Sequence, residues 1–208
     1  MRLILASASP RRKELLSQIG VRFDVCAVDI DETPFVDETP STYVSRMATE
    51  KALNCLTLQN QSDSLVIIGA DTSVIINNDI LGKPVDYLDC KNMLLRLSGK
   101  EHQVMTSVCI LIKRQEGKDD SPDIFCKVVT TEVCFKVISD KQIEAYWKSG
   151  EPQDKAGSYG IQGFGAAFVE RIQGSYSAVV GLPLAEVAEM LDIAGVPIWQ
   201  TEKNNSER

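Results

Sequence analysis

The sequence predicts an α/β (α+β mixed) domain built on a mixed β-sheet flanked by helices, and three observations carry that prediction. Short apolar runs alternate with amphipathic stretches of helical period through the first half of the chain. An Asn77-Asn78-Asp79 turn joins two β-prone runs as a hairpin. Two long β segments, at about 103–113 and 124–137, then follow each other without an intervening helix, so the sheet cannot be purely parallel.

Each element has a local reason. Leu3–Ala6 is a short apolar strand. Ser9 is placed to cap a helix with Pro10 at its first position, Leu15, Leu16 and Ile19 form its apolar face, and Gly20 stops it. Phe23–Ile30 is the second strand candidate and runs into the acidic Asp29-Ile30-Asp31-Glu32. A longer helix begins near Thr39-Pro40-Ser41, with Tyr43, Val44, Met47, Ala48, Ala52, Leu53 and Leu56 at helical spacing. Leu65–Ile68 is a buried strand expected to end at Gly69-Ala70-Asp71-Thr72, and Ser73–Ile76 with Ile80-Leu81 form the hairpin. Asp86 caps a helix carrying Met93, Leu94 and Leu97 that closes at Ser98-Gly99. The loop 114–123 is charged. Ser139 and Gln142 make a capping-box pattern for a helix through Trp147, ended by Gly150. A glycine-rich stretch from Asp154 to Gly165, a strand near Ala167–Ile172 and a last helix from Pro183 to about Ala194 complete the order, before a polar tail at 200–208.

Composition narrows the function. The 208 residues carry 22 Lys+Arg against 29 Asp+Glu, a net charge of −7, which disfavours broad nucleic-acid or anionic-membrane binding and leaves room for a local basic pocket. Six cysteines without C-x-x-C spacing read as reduced thiols rather than a disulfide or zinc framework. The four apolar residues Leu3–Ala6 fall short of the about 7–15 that a signal peptide needs, and no run approaches the about 20 of a membrane span, so a cytoplasmic location is expected. His102 is the single histidine and is expected at the surface; two-His zinc sites are excluded, and catalysis must rest on carboxylates, lysines, arginines and a metal.

The residues that carry chemistry fall into three groups. Ser7, Ser9, Arg11 and Arg12 lie where a strand end meets a helix N-terminus, a place that presents unpaired N–H donors and two fork-shaped cations to an anion. Asp71 is expected at a strand's C-terminal end, and Glu32 in an acidic run; such carboxylates hold a hard divalent cation or orient water. Lys51, Lys83 (in Gly82-Lys83-Pro84) and Lys155 are the scattered cations, each of a kind found more often on a plain surface. Cations for a polyanion and carboxylates for a metal suit phosphoryl chemistry without naming a substrate.

Five ordered blocks over about residues 2–195 closely resemble the Maf family: Ser7-Ala8-Ser9-Pro10-Arg11-Arg12, Gly69-Ala70-Asp71-Thr72, Gly82-Lys83-Pro84, Asp154 to Gly163 and Gly174 to Leu184. The resemblance implies the elongated mixed β-sheet fold shared with inosine triphosphatases, two lobes around a deep cleft in one domain over 1–199. It implies a nucleoside triphosphate pyrophosphatase that releases monophosphate and pyrophosphate with Mg²⁺ or Mn²⁺, and a homodimer. The family's catalytic aspartate falls on Asp71, and Glu32 and Asp71 match the metal positions. Ser7, Arg11, Arg12, Lys51 and Lys83 match positions lining the phosphate cleft, with Lys155 also read as substrate-binding. Arg11, Thr72 and Gln162 resemble the branch acting on dTTP and UTP rather than the branch acting on 7-methyl-GTP, and the Gln162 amide both donates and accepts, as a pyrimidine edge requires. The alternatives are that second branch and a non-catalytic nucleotide-binding regulator of septum formation.

Overall fold

The computed structural model describes residues 1–60, 64–114 and 121–200. Most of the charged loop 114–123 and nearly all of the polar tail therefore lie outside the described residues.

A seven-stranded mixed sheet forms the centre, ordered β2-β1-β3-β5-β6-β7, with β4 paired to part of β3. Its strands are β1 (Arg2–Ala6), β2 (Asp24–Val25), β3 (Leu65–Ile76), β4 (Asp79–Leu81), β5 (Glu101–Lys113), β6 (Asp123–Phe135) and β7 (Val169–Gln173). The helices are α1 (Pro10–Gln18), α2 (Pro40–Thr57), α3 (Tyr87–Leu97), α4 (Asp140–Lys148), α5 (Tyr176–Val180) and α6 (Leu184–Ile193). β1 runs parallel to β2 and β3, and every other pairing is antiparallel.

Strand parity explains the apolar runs. Leu3 and Leu5 of β1, with Val66, Ile68 and Ala70 of β3, pack on one face with Leu15, Leu16, Val187 and Leu191 of α1 and α6. Ile4, Ala6, Leu65 and Ile67 face the other way, onto Ala48, Ala52 and Cys55 of α2. Both faces are covered, so both parities are apolar; each large aliphatic side chain buried there stabilises by about 1.5–3 kcal/mol. Farther along the same strands, Val74, Ile76, Val104 and Val133 pack with α3 and α4 in a separate cluster.

Several expectations hold closely. α2 begins at Pro40, within Thr39-Pro40-Ser41 as expected; Asp86 caps α3, and Ser139 with Gln142 form the capping box of α4. Asn77 and Asn78 both take positive φ in the hairpin turn.

Others are corrected. β3 does not end before Asp71 but runs unbroken for 12 residues, so Asp71 lies mid-strand. The second strand shrinks to Asp24–Val25, because beyond it the chain leaves the edge of β1. Ser9 precedes α1 without a side-chain cap; the Ser9 N–H is itself bound by Ser7 Oγ at 3.1 Å. His102 is buried rather than superficial: its Nε2 lies 2.8 Å from Tyr159 Oη, its ring meets Phe135 edge-on, and burial lowers its pKa to about 4. Among the described residues no helix is long and apolar enough to cross a membrane.

Candidate active site

A break in the sheet edge organises the site. On one side of β3, β1 pairs as far as Gly69 and β4 pairs only from Val74 onward, so neither strand occupies the edge beside Ala70–Ser73. On the other side, β5 pairs continuously from Leu65 to Ile75. Strand alternation points successive residues to opposite faces. Asp71 shares the parity of Ile67 and faces α2, whereas Thr72 shares the parity of Ile68 and faces α1.

On the α2 face, Lys51 reaches both acidic residues. Its Nζ lies 2.8 Å from Asp71 Oδ1 and 2.7 Å from Glu32 Oε1. Lys51 is 9% exposed, and its placement on the face of Ala48, Ala52 and Cys55 replaces the surface position that a lone lysine would take. Gly69 makes this approach possible, because a Cβ there would overlap the Ala48 carbonyl oxygen. The Glu32 segment is held to the same helix by Tyr43 Oη, which donates to the Glu32 carbonyl at 2.8 Å. Burial works to raise the Glu32 carboxyl, but the Lys51 hydrogen bond and the charges of Lys51, Lys83 and Arg12 hold it below its ordinary value. Lys83 is more distant, 3.9 Å from Glu32 Oε2, and largely exposed.

On the α1 face, Arg12 is fixed by three acceptors. Nε donates to the Gly181 carbonyl at 2.9 Å, Nη1 to Ser7 Oγ at 3.4 Å and Nη2 to Thr72 Oγ1 at 3.3 Å. Enclosure lowers its pKa, opposed by the charge of Asp71. Thr72 Oγ1 lies 3.0 Å from Thr106 Oγ1, and the buried Thr106 hydroxyl donates to the Ala178 carbonyl at 2.7 Å. α1, β3, β5 and the α5 segment are thereby tied at one point.

The glycine-rich segment closes the third side. Asp154 pairs with Lys155 at 2.7 Å and with Arg11 at 3.5 Å, joining this segment to the start of α1. Lys155 also donates to the Glu151 carbonyl at 2.7 Å. The Glu151 carboxylate accepts from Phe164 N at 2.8 Å, Gly165 N at 3.1 Å and Tyr146 Oη at 2.8 Å, and Gly163 leaves it the room to do so. Gln162 is exposed in the loop so held.

The donor set fits a small hard cation. The Glu32 and Asp71 carboxylates both reach the Lys51 ammonium, which holds them close enough to serve together, and Mg²⁺ commonly takes one or two protein carboxylates and completes its shell with phosphate oxygens and water. No group of three or more His, Cys, Asp or Glu side chains converges among the described residues.

Comparison with known proteins gives the family. A family model described as Maf-like protein matches residues 2–194. The chain belongs to the Maf family. A relative from Hahella chejuensis named dTTP/UTP pyrophosphatase is 48% identical over 200 residues, covering 95% of this chain and 94% of that protein. Another of that name, from Shewanella sp. (strain MR-7), is 52% identical over 201 residues, covering 94% and 100%. Among solved structures, a nucleoside-triphosphatase / dITP/XTP pyrophosphatase from Mycobacterium abscessus aligns over 93% of this chain and 97% of that chain, at a TM-score of 0.39 and 14% identity.

In this Maf chain the structure brings Ser7, Arg12, Thr72, Lys51, Asp71 and Glu32 to the open edge, with Lys83 and the Arg11–Asp154–Lys155 link around it. Sequence reasoning did not single out Thr106, Glu151 or the Gly181 carbonyl. Thr106 carried a signal, a hydroxyl within an apolar strand pattern. Glu151 carried none, because its partners are backbone groups 13 and 14 residues away.

Proposed function

We propose that this chain hydrolyses dTTP and UTP between the α and β phosphates, releasing the nucleoside monophosphate and pyrophosphate, with a divalent cation held by Glu32 and Asp71. The observation that carries the reading is the Lys51 ammonium set between those two carboxylates at 2.7 and 2.8 Å, beside Arg12 at the open sheet edge. The relatives' names supply the substrates.

Arg12, Ser7 and the N-terminus of α1 face the triphosphate as fixed donors, already oriented before binding. Lys51 and Lys83 offset its remaining charge. Asp71 accepts a proton from the attacking water as the new bond forms at the α phosphorus; the bridging bond to the β phosphate breaks and pyrophosphate leaves. A divalent cation, when bound, neutralises phosphate charge and polarises the reacting phosphoryl group. Gln162 presents an amide to the base edge. The reading includes a cytoplasmic location and a homodimer.

The test is pyrophosphate release from dTTP, UTP and 7-methyl-GTP with Mg²⁺ or Mn²⁺, each repeated with excess chelator. Turnover of the pyrimidine triphosphates that stops with the chelator is expected. Nucleotide binding without turnover overturns the catalytic reading, and a preference for 7-methyl-GTP overturns the substrate assignment.

A further inference from the structure

We infer that Cys126 and Cys109 form a hydroperoxide-responsive thiol pair, in which Cys126 is oxidised first and Cys109 resolves it as a cross-strand disulfide. The two cysteines are register partners on β5 and β6, so their side chains share one face of the sheet. Directly opposed residues in an antiparallel pair have Cα atoms about 4.5–5.5 Å apart in either ladder class. A disulfide needs about 4.4–6.8 Å. The strands thus already hold the two residues at bonding separation.

The two thiols are inequivalent in the way such a reaction needs. Cys126 is exposed, and Cys109 is fully buried beneath α2. The Cys126 sulfur lies 3.3 Å from Thr49 Oγ1. Thr49 and Ser45 also line a groove of about 590 Å³ between α2 and Val128, and the exposure of Cys126 leaves it open to a small oxidant. Hydrogen bonding from Cys109, with help from Thr49 and Ser45, outweighs burial and lowers the Cys126 thiol to about 6. The same contact with Cys126, together with burial, pushes the Cys109 thiol up. An exposed thiol with a lowered pKa faces solvent and a buried thiol with a raised one lies behind it, the arrangement of a redox-active cysteine with its resolving partner.

The chemistry balances with a hydroperoxide as the oxidant. The Cys126 thiolate attacks one peroxide oxygen, the O–O bond breaks, and the departing oxygen takes a proton as water or alcohol. This leaves Cys126 as a sulfenic acid. The Cys109 sulfur then attacks that sulfur; the S–O bond breaks, the Cys109 proton joins the departing hydroxide as water, and a disulfide remains. Two thiols lose two electrons and the peroxide gains them.

The test treats the reduced full chain with stoichiometric hydrogen peroxide at neutral pH, blocks the remaining thiols by alkylation and maps the peptides by mass spectrometry. A Cys109–Cys126 linked peptide pair is expected, with Cys26, Cys55, Cys90 and Cys134 alkylated. In Cys109→Ser the reaction is expected to stop at a sulfenic acid on Cys126, trapped by a 1,3-diketone reagent. In Cys126→Ser overall thiol loss is expected to slow by about tenfold, following the lost thiolate fraction. First oxidation at Cys134 or Cys26, pairing of Cys26 with Cys55, or a Cys126 disulfide between two copies overturns the inference. The wild-type peptide map decides these cases without any variant having to fold.

Discussion

Gly69 of β3 lies directly beneath the Ala48 carbonyl of α2, so close that one added methyl group would overlap that oxygen. The contact sets the height of α2 above the sheet, and Lys51 stands one turn farther along the helix. Gly69→Ala is therefore expected to lift α2 and destabilise the fold by about 1–3 kcal/mol, the usual range for overpacking. It is also expected to stretch the Lys51–Asp71 pair and reduce kcat/KM for dTTP even below the melting transition. Thermal melts and steady-state kinetics on the same preparation check both effects; unchanged kinetics in a destabilised variant would show that α2 height does not matter to the site.

Asp71→Asn keeps the shape of the side chain and removes its charge. Proton acceptance and metal holding each typically contribute at least about 10² in rate. Turnover of dTTP is expected to fall by that order while the melting temperature stays near wild type, since Glu32 still pairs with Lys51 at 2.7 Å. Retention of more than about a third of wild-type activity contradicts both roles.

Gln162 is exposed in a loop whose backbone is fixed by Glu151. A glutamate there offers only acceptors at neutral pH. An unpaired contact in a closed site costs about 1–3 kcal/mol. Gln162→Glu is expected to lower kcat/KM for dTTP and UTP by about 10–100-fold. The effect on 7-methyl-GTP, a cationic base, is expected to be smaller or of opposite sign. Equal losses on all three substrates would mean that Gln162 shapes the loop without reading the base.

The segment carrying Glu32 is pinned by a second ion pair. Arg46 donates from Nε and Nη2 to the two oxygens of Glu38, each at 2.7 Å, and its guanidinium lies 3.8 Å above the Phe35 ring. The Arg46 hydrogen bonds outweigh burial and, with the Phe35 N–H, hold the Glu38 carboxyl at about 2, against an ordinary 4.5. A carboxyl lowered in the folded state stabilises the fold above its unfolded value, and that contribution is lost as pH falls through the folded value. The wild-type melting temperature is therefore expected to fall relative to Glu38→Gln as pH drops from about 4.5 toward about 2. Parallel curves over that window would show that the pair contributes nothing to folding.

The sequence exposed the frame of this molecule more fully than its centre. The α2 start at Thr39-Pro40 and the caps at Asp86 and Ser139 are local chemistry, and each falls where its residues predict. Lys51 was also within reach of periodicity: with Ala48, Ala52 and Cys55 it follows the buried stripe of α2, but a lysine's ordinary exposure masked that position. Asp71 was misplaced along its strand because Gly69-Ala70 looks like a terminus, whereas β5 continues to pair there with residues some forty positions later in the chain. His102 is covered by Tyr159, contributed by a segment 57 residues on, a contact no local pattern encodes. The short helix α5 lies within a recognised block yet is only five residues long, too short to show a period.

The length of β1 governs more than packing. Its pairing with β3 stops at Ala6 opposite Gly69, and Ser7 turns back, its N–H donating to the Leu5 carbonyl at 3.0 Å. One further rung would set Ser7 against Ala70 and begin to fill the open edge. A strand lengthened by a few residues would be a better sheet with a closed edge, walling off Asp71 and Lys51 on one face from Thr72 and Arg12 on the other.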